Sequence, residues 1–116
     1  MQTNKMLSDT VLKTQLKYTL DKTSFNFGKK YEGKVRDNYS FDGKRLIITT
    51  DRISAFDRVL CTIPFKGQVL NQTSAFWFDK TKKIVDNHVI SVPDHNVMLV
   101  KECKLIPVEM VASSSR

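Results

Sequence analysis

Residues 33–37 read Gly33-Lys34-Val35-Arg36-Asp37, and this short run holds the ingredients for handling phosphate. Glycine lets the backbone approach an anion with no side chain in the way, Lys34 brings a compact positive charge, and Arg36 brings a forked, planar one. On extended backbone Lys34 and Arg36 project to one face and Val35 to the other, so one face can hold an anion while Val35 packs inward. A solvated basic strand edge is the plainer account of the same five residues. A second polar cluster, Asp51-Arg52-Ile53-Ser54-Ala55-Phe56-Asp57, sets two carboxylates, a guanidinium and a hydroxyl directly after an apolar run. Polar groups at the end of a strand often line a site. The competing account is a turn whose Asp and Ser side chains bond nearby backbone.

The 116 residues make one domain's worth of chain, and 41% hydrophobic residues with seven Phe are enough to build a core. A formal net charge of +7 points to acidic partners. The tight basic groups are Lys29-Lys30 and the lysines at 80, 82 and 83, without the long single-sign block of a nucleic-acid tail. Cys61 and Cys103 have no ligand at metal-binding spacing and are expected to be reduced, buried thiols; His88 and His95 flank a proline turn and do not form a metal motif. Residues 1–9 lack an apolar core of signal-peptide length and no aliphatic run approaches a membrane span, so a cytoplasmic protein without membrane partners is expected.

The elements that must position these groups follow from periodicity. Leu12, Leu16 and Leu20 recur every four residues and suggest a short helix within an N-terminal arm at 1–24. Phe25 and Phe27 alternate with polar neighbours and open a first strand that runs through Tyr31 to Gly33. Tyr39 and Phe41 lie on a second strand, Asp42-Gly43 is a two-residue hairpin turn, and residues 46–50 form a third strand buried on both faces. After a loop with Pro64, Lys66 and Gly67, residues 69–85 carry apolar positions at helical spacing, with Phe76 or Trp77 as the expected core anchor. Segments 89–92, 97–100 and 105–111 read as three further strands, and 112–116 as a polar tail. The expected fold class is α+β, an antiparallel sheet with one main packing helix.

Taken together, 33–37, 50–57, Lys66-Gly67 with Leu70-Asn71-Gln72-Thr73-Ser74-Ala75-Phe76-Trp77-Phe78, and Leu105-Ile106-Pro107-Val108-Glu109 closely resemble the phosphoribosylaminoimidazole-succinocarboxamide synthase (SAICAR synthetase) family. The resemblance spans 33–111 and covers only the N-terminal part of the family pattern. It implies the small lobe of a kinase-like, two-lobed fold, with 25–111 as the ATP-binding lobe.

The resemblance further implies an ATP-dependent ligase of purine synthesis that joins L-aspartate to carboxyaminoimidazole ribonucleotide, with no covalent enzyme nucleophile. Gly33, Lys34, Val35, Arg36 and Asp37 would form the phosphate loop, and Leu105 the hinge beside adenine, with Glu109 along the cleft wall. Asp51, Arg52, Ser54 and Asp57 would face the imidazole ribonucleotide and aspartate. Mg²⁺ ligands are expected in the second lobe, and the full-length enzyme is compatible with a homo-oligomer. Where the family continues into an arginine and a Gly-Ser pair, this sequence has Ala112 and Ser113, so a truncated lobe inactive by itself is expected. The rival readings are a non-catalytic nucleotide-binding lobe and a basic nucleic-acid-binding module.

Overall fold

The computed structural model describes residues 7–114; residues 1–6 of the polar start and the last two residues of the tail lie outside the described residues. The chain runs through α1 (Asp9–Gln15), a 3₁₀ turn (Leu16–Tyr18), β1 (Lys29–Glu32), β2 (Arg36–Phe41), β3 (Lys44–Thr49), β4 (Arg52–Ala55), β5 (Arg58–Thr62), α2 (Lys66–Thr81), β6 (Val89–Asp94) and β7 (Val97–Lys101). Five strands form one antiparallel sheet in the order β1-β2-β3-β7-β6, while β4 and β5 form a separate hairpin. The architecture is α+β, with α2 packed against β3.

The turn between β2 and β3 follows its chemistry. Asp42 and Gly43 have φ of 47° and 68°, the left-handed pair a two-residue hairpin requires. The first strand begins later than the alternation of Phe25 and Phe27 predicts. Gly28 sits at φ 62°, where a Cβ would press against the Ser40 carbonyl, and this kink releases the preceding residues from the sheet. Phe25 and Phe27 instead fold over Tyr39, with ring centroids 5.5 and 5.3 Å away, and Phe27 meets Phe41 edge-on at 5.4 Å.

Two expected elements change. The main helix starts three residues before position 69, because Phe65 adopts φ 65° and turns the chain, and because Gly67 has no side chain to collide with the carbonyls of Thr49 and Thr50. Its buried residues are Gly67 and Asn71; Phe76 and Trp77 are 53% and 60% exposed and meet each other edge-on rather than anchoring the core. The segment at 105–111 is not a strand. It leaves β7, which already has β3 and β6 on its two sides, so no free edge is beside it to pair with. Cys61 and Cys103 are free but exposed, the first on the open hairpin and the second just past β7.

Residues that face each other across the ladder share a side of the sheet. Asp37, Tyr39 and Ile48 lie on the side covered by the segment at 19–27, while Arg36, Ile47, Thr49 and Met98 lie on the side that meets α2. Among the described residues no helix is long and apolar enough to cross a membrane. Tyr39→Ala should therefore cost about 3 to 5 kcal/mol and Gly67→Ala about 1 to 3 kcal/mol, whereas Phe76→Ala and Trp77→Ala should each cost about 1 kcal/mol or less. Chemical denaturation of the four variants checks the ranking, and a larger loss at Trp77 than at Tyr39 would refute this account of the core.

Candidate functional site

The glycine run is a turn, not extended backbone. It links β1 to β2, and the Gly33 N–H donates to the Arg36 carbonyl at 2.7 Å. Lys34 therefore stands at the tip while Arg36 begins β2, so the two cations do not alternate along one strand as expected. The carbonyls on the underside of the turn are taken by residues that follow β3. Arg52 donates to Lys34 O through Nε at 3.1 Å and to Gly33 O through Nη2 at 3.0 Å. Thr50 donates to Val35 O from both its backbone N–H, at 3.0 Å, and its hydroxyl, at 2.9 Å.

Arg52 is buried, and its charge is met by Asp37, whose Oδ1 lies 2.9 Å from Nη2. The remaining Arg52 nitrogen, Nη1, donates to the Asp21 carbonyl. On its other oxygen Asp37 accepts from the Thr23 N–H at 2.7 Å and the Thr23 hydroxyl at 2.8 Å. Burial by itself raises the Asp37 carboxyl, but the Thr23 N–H, the Arg52 guanidinium and the Thr23 hydroxyl together outweigh it and hold the group below the ordinary carboxylate range.

Asp51 is also buried and engaged: Oδ2 accepts from Leu20 N–H at 2.8 Å and Oδ1 from Gly67 N–H at 2.9 Å, capping the start of α2. Of the groups expected to face substrate, Asp51 and Arg52 thus spend their polar atoms inside the protein, as does Asp37 of the phosphate run. Ser54 is half-buried on β4, and Asp57 is exposed at the tip of the β4–β5 hairpin, where it pairs with Lys34. That contact raises the Lys34 ammonium and lowers the Asp57 carboxyl.

A groove follows the α2 side of the sheet. At one end it is lined by Arg36, Thr49 and Asn71; at the other, Arg45, Val100 and Leu105 line a space of about 620 Å³. Ile47 and His88 line both parts. From Thr49, opposite Arg36, to Lys44, opposite Lys101, is five strand positions, or roughly 17 Å of groove. Arg45 pairs with Glu102, which also accepts from Ser40 at 3.2 Å, and this fixes where the chain leaves β7. Leu105 is 84% exposed and Glu109 is exposed beyond it.

Two participants escaped the sequence reading. Thr23 carries no motif, and only the fold brings it onto Asp37. Lys66 stood in a motif but only as part of a loop; it is half-buried at the first position of α2. Burial lowers its ammonium, Arg36 lowers it further, Asp51 opposes the shift and Arg52 adds to it. Among the described residues no three His, Cys, Asp or Glu side chains group as metal ligands. The carboxylates next to the turn, Asp37, Asp51 and Asp57, already hold Arg52 and Thr23, two backbone N–H groups, and Lys34. These residues do not fit a Mg²⁺ cage.

The sheet, the packed helix and the glycine turn held from beneath define a small α+β lobe of SAICAR synthase type. Solved structures carry the same lobe: the SAICAR synthase from Saccharomyces cerevisiae complexed with SAICAR aligns with a TM-score of 0.69 and 32% identity, over 77% of this chain and 38% of that one. A type-2 SAICAR synthetase in complex with ADP aligns at 0.61 and 25% identity, over 68% and 35%. The family model for SAICAR synthetase matches residues 29–114, and the chain belongs to that family. The phosphoribosylaminoimidazole-succinocarboxamide synthase of Legionella pneumophila strain Lens is 56% identical over 94 residues, 81% of this chain. The chloroplastic enzyme of Vigna aconitifolia is 58% identical over 83 residues, 72% of this chain and 24% of that one. The chain spans 30% of the length of the Legionella relative.

Removing one member of a buried ion pair strands the other, at about 3 to 5 kcal/mol. Arg52→Met and Asp37→Asn should each show that loss, read by denaturant unfolding. The depressed Asp37 carboxyl stabilises the fold fully above its unfolded value of about 3.9, and that contribution is lost as pH falls through the lower folded value. Asp37→Asn should flatten the acid limb of stability against pH; an unchanged limb would show that Asp37 is not the group being titrated.

Proposed function

We propose that the chain supplies the nucleotide-binding lobe of an ATP-dependent ligase of purine synthesis, which joins L-aspartate to carboxyaminoimidazole ribonucleotide and acts in the cytoplasm. The observation that carries this reading is the groove itself, which has Arg36, the first strand residue after the glycine turn, at one end and Ile47, Val100, Leu105 and Ile106 among cationic side chains at the other. Membership of the SAICAR synthetase family and the likeness to a synthetase in complex with ADP support it. Adenine would lie toward Leu105 and the phosphates toward Lys34 and Arg36.

The chemistry is carboxylate activation. A carboxylate oxygen of the imidazole ribonucleotide attacks the γ-phosphorus of ATP and ADP leaves; the amine of aspartate then attacks the acyl carbon and phosphate leaves. Negative charge moves in both steps, so the task for Lys34 and Arg36 is to orient the polyphosphate and neutralise its oxygens. Arg52 and Thr50 hold the turn that carries Lys34, which keeps the charge in place without reorganisation during the reaction. Ser54 and Asp57, the two accessible polar groups of 51–57, would meet the second substrate. Glu109 would lie along the cleft wall.

A charge-assisted contact is worth roughly 1.5 to 3 kcal/mol, so Lys34→Ala and Arg36→Ala should each weaken ATP binding by about 10- to 100-fold, with Arg36→Lys recovering part of the loss. Calorimetric titration of the chain with ATP is the check. Unaltered ATP affinity in both alanine variants would overturn the reading. Steeply salt-dependent oligonucleotide binding that ATP does not compete would favour a basic nucleic-acid module instead.

A further inference from the structure

The β4–β5 hairpin stands apart from the five-stranded sheet and is fastened at its base. There Arg52 bonds the glycine turn, the Ile63 N–H donates to the Asp51 carbonyl at 2.9 Å, and the Thr19 and Thr62 hydroxyls meet at 2.7 Å. The ladder then shifts register between Ile53 and Ser54, an irregularity that bends a strand pair. Beyond it β5 is exposed from Arg58 to Cys61, and Phe56 at the tip is 99% exposed. Among the described residues, 53–61 make one hydrogen-bonded ion pair outside the hairpin itself, in which Lys34 donates to Asp57. The tip of the glycine turn and the tip of the hairpin are thus joined by a single exposed contact, and neither partner has another ion pair among the described residues. An exposed pair of this kind is weak and readily exchanged for a stronger anion.

We propose that this contact is a clasp that a polyphosphate opens: the hairpin is a flap, and Asp57 is an internal competitor for the Lys34 ammonium. The proposal rests on the nucleotide reading above, which assigns phosphate to Lys34, and adds to it a means of control. An ammonium carries three protons, but a carboxylate and a polyphosphate gathered on one nitrogen repel each other, and the polyphosphate carries the greater charge. Phosphate on Lys34 therefore frees Asp57, and the tip loses its tie to the turn while the base stays fastened. The flap carries Ser54 and Asp57, so nucleotide binding is coupled to the release of the side chains assigned above to the second substrate. The coupling is reciprocal: removing Asp57 from Lys34 tightens polyphosphate by the factor by which polyphosphate loosens the flap.

The test is NMR relaxation of the backbone amides of the full chain, titrated with ATP and with inorganic tripolyphosphate at fixed ionic strength. The proteins are the unaltered chain, Asp57→Asn and Lys34→Ala, each checked for cooperative melting. Asn tolerates the φ of 61° at this position as Asp does, so the hairpin turn persists in the first variant. In the unaltered chain the amides of 55–58 should be as rigid as the sheet without ligand and mobile on the nanosecond scale once either ligand is bound. Asp57→Asn should be mobile there without ligand and should bind both ligands about 2- to 5-fold more tightly. Lys34→Ala should be mobile without ligand as well, and it carries the test if Asp57→Asn does not fold. A tip equally rigid with and without bound polyphosphate, or no looser in the variants, overturns the clasp even if binding to Asp57→Asn tightens. ATP binding that weakens in Lys34→Ala, beside such a rigid tip, leaves the nucleotide reading standing. Release of the tip by tripolyphosphate, without any ATP binding, keeps the clasp and overturns the nucleotide reading. Failure of both ligands to bind the unaltered chain and Asp57→Asn overturns both.

Discussion

The buried contact between Arg52 and Asp37 is the constraint on which the rest of the structure depends. Taking two charges out of water is costly, and their attraction offsets that cost only when the remaining donors and acceptors are also satisfied. Here they are, by groups from three separate stretches of chain: Asp21 and Thr23 from the N-terminal arm, Gly33 and Lys34 from the glycine turn, and Arg52 itself from the start of the hairpin. Neither the arm at 21–23 nor the turn at 33–34 has a regular element to hold it. The ion pair does that work, and the shape of the glycine turn follows from the hydrogen-bonding demands of one guanidinium.

The interior is correspondingly polar around the site. Among the described residues, four hydrophobic side chains are buried, Tyr39, Ile48, Met98 and Val100, against six polar or charged residues, Asp37, Thr49, Thr50, Asp51, Arg52 and Asn71. Apolar packing sets the sheet, but directional bonds set the end of the sheet where the turn lies. Those bonds tolerate little displacement, because a buried donor or acceptor left unpaired costs more than the bond returns when made. A groove end built in this way keeps its cations in fixed places.

Much of this fold was legible in the sequence where a local rule decides conformation. Asp42-Gly43 needs positive φ at both positions, and the turn is where those residues are. Aromatic and β-branched runs placed a strand through Tyr39 and Phe41 and others at 46–50 and 97–100, and the structure has β2, β3 at 44–49 and β7 at 97–101 there. The β4–β5 hairpin was not legible, because its turn uses Phe56 and Asp57 at φ 49° and 61° in place of the usual Asn-Gly or Asp-Gly signal. Helical periodicity placed Phe76 and Trp77 inward, but the close approach is made by Gly67 and Asn71, and a glycine leaves no mark in a hydrophobic pattern. For the candidate site, the sequence singled out 33–37 and 50–57, which the fold brings together, and could not tell which of their side chains are buried. A buried Arg52 and an exposed Arg36 look alike until tertiary contacts distinguish them, and Thr23 enters only through the fold.

The edges of the sheet have a consequence for how the molecule meets copies of itself. On one side, β6 carries Pro93 and two register shifts against β7; on the other, β1 is four residues long and begins with Lys29 and Lys30. Proline removes a donor, a shifted register breaks the even row of donors and acceptors, and adjacent lysines repel a like strand. Neither margin is a template for adding a strand from another molecule. Association through the exposed apolar side chains at 105–111 is therefore not extended by strand addition along either margin of this sheet.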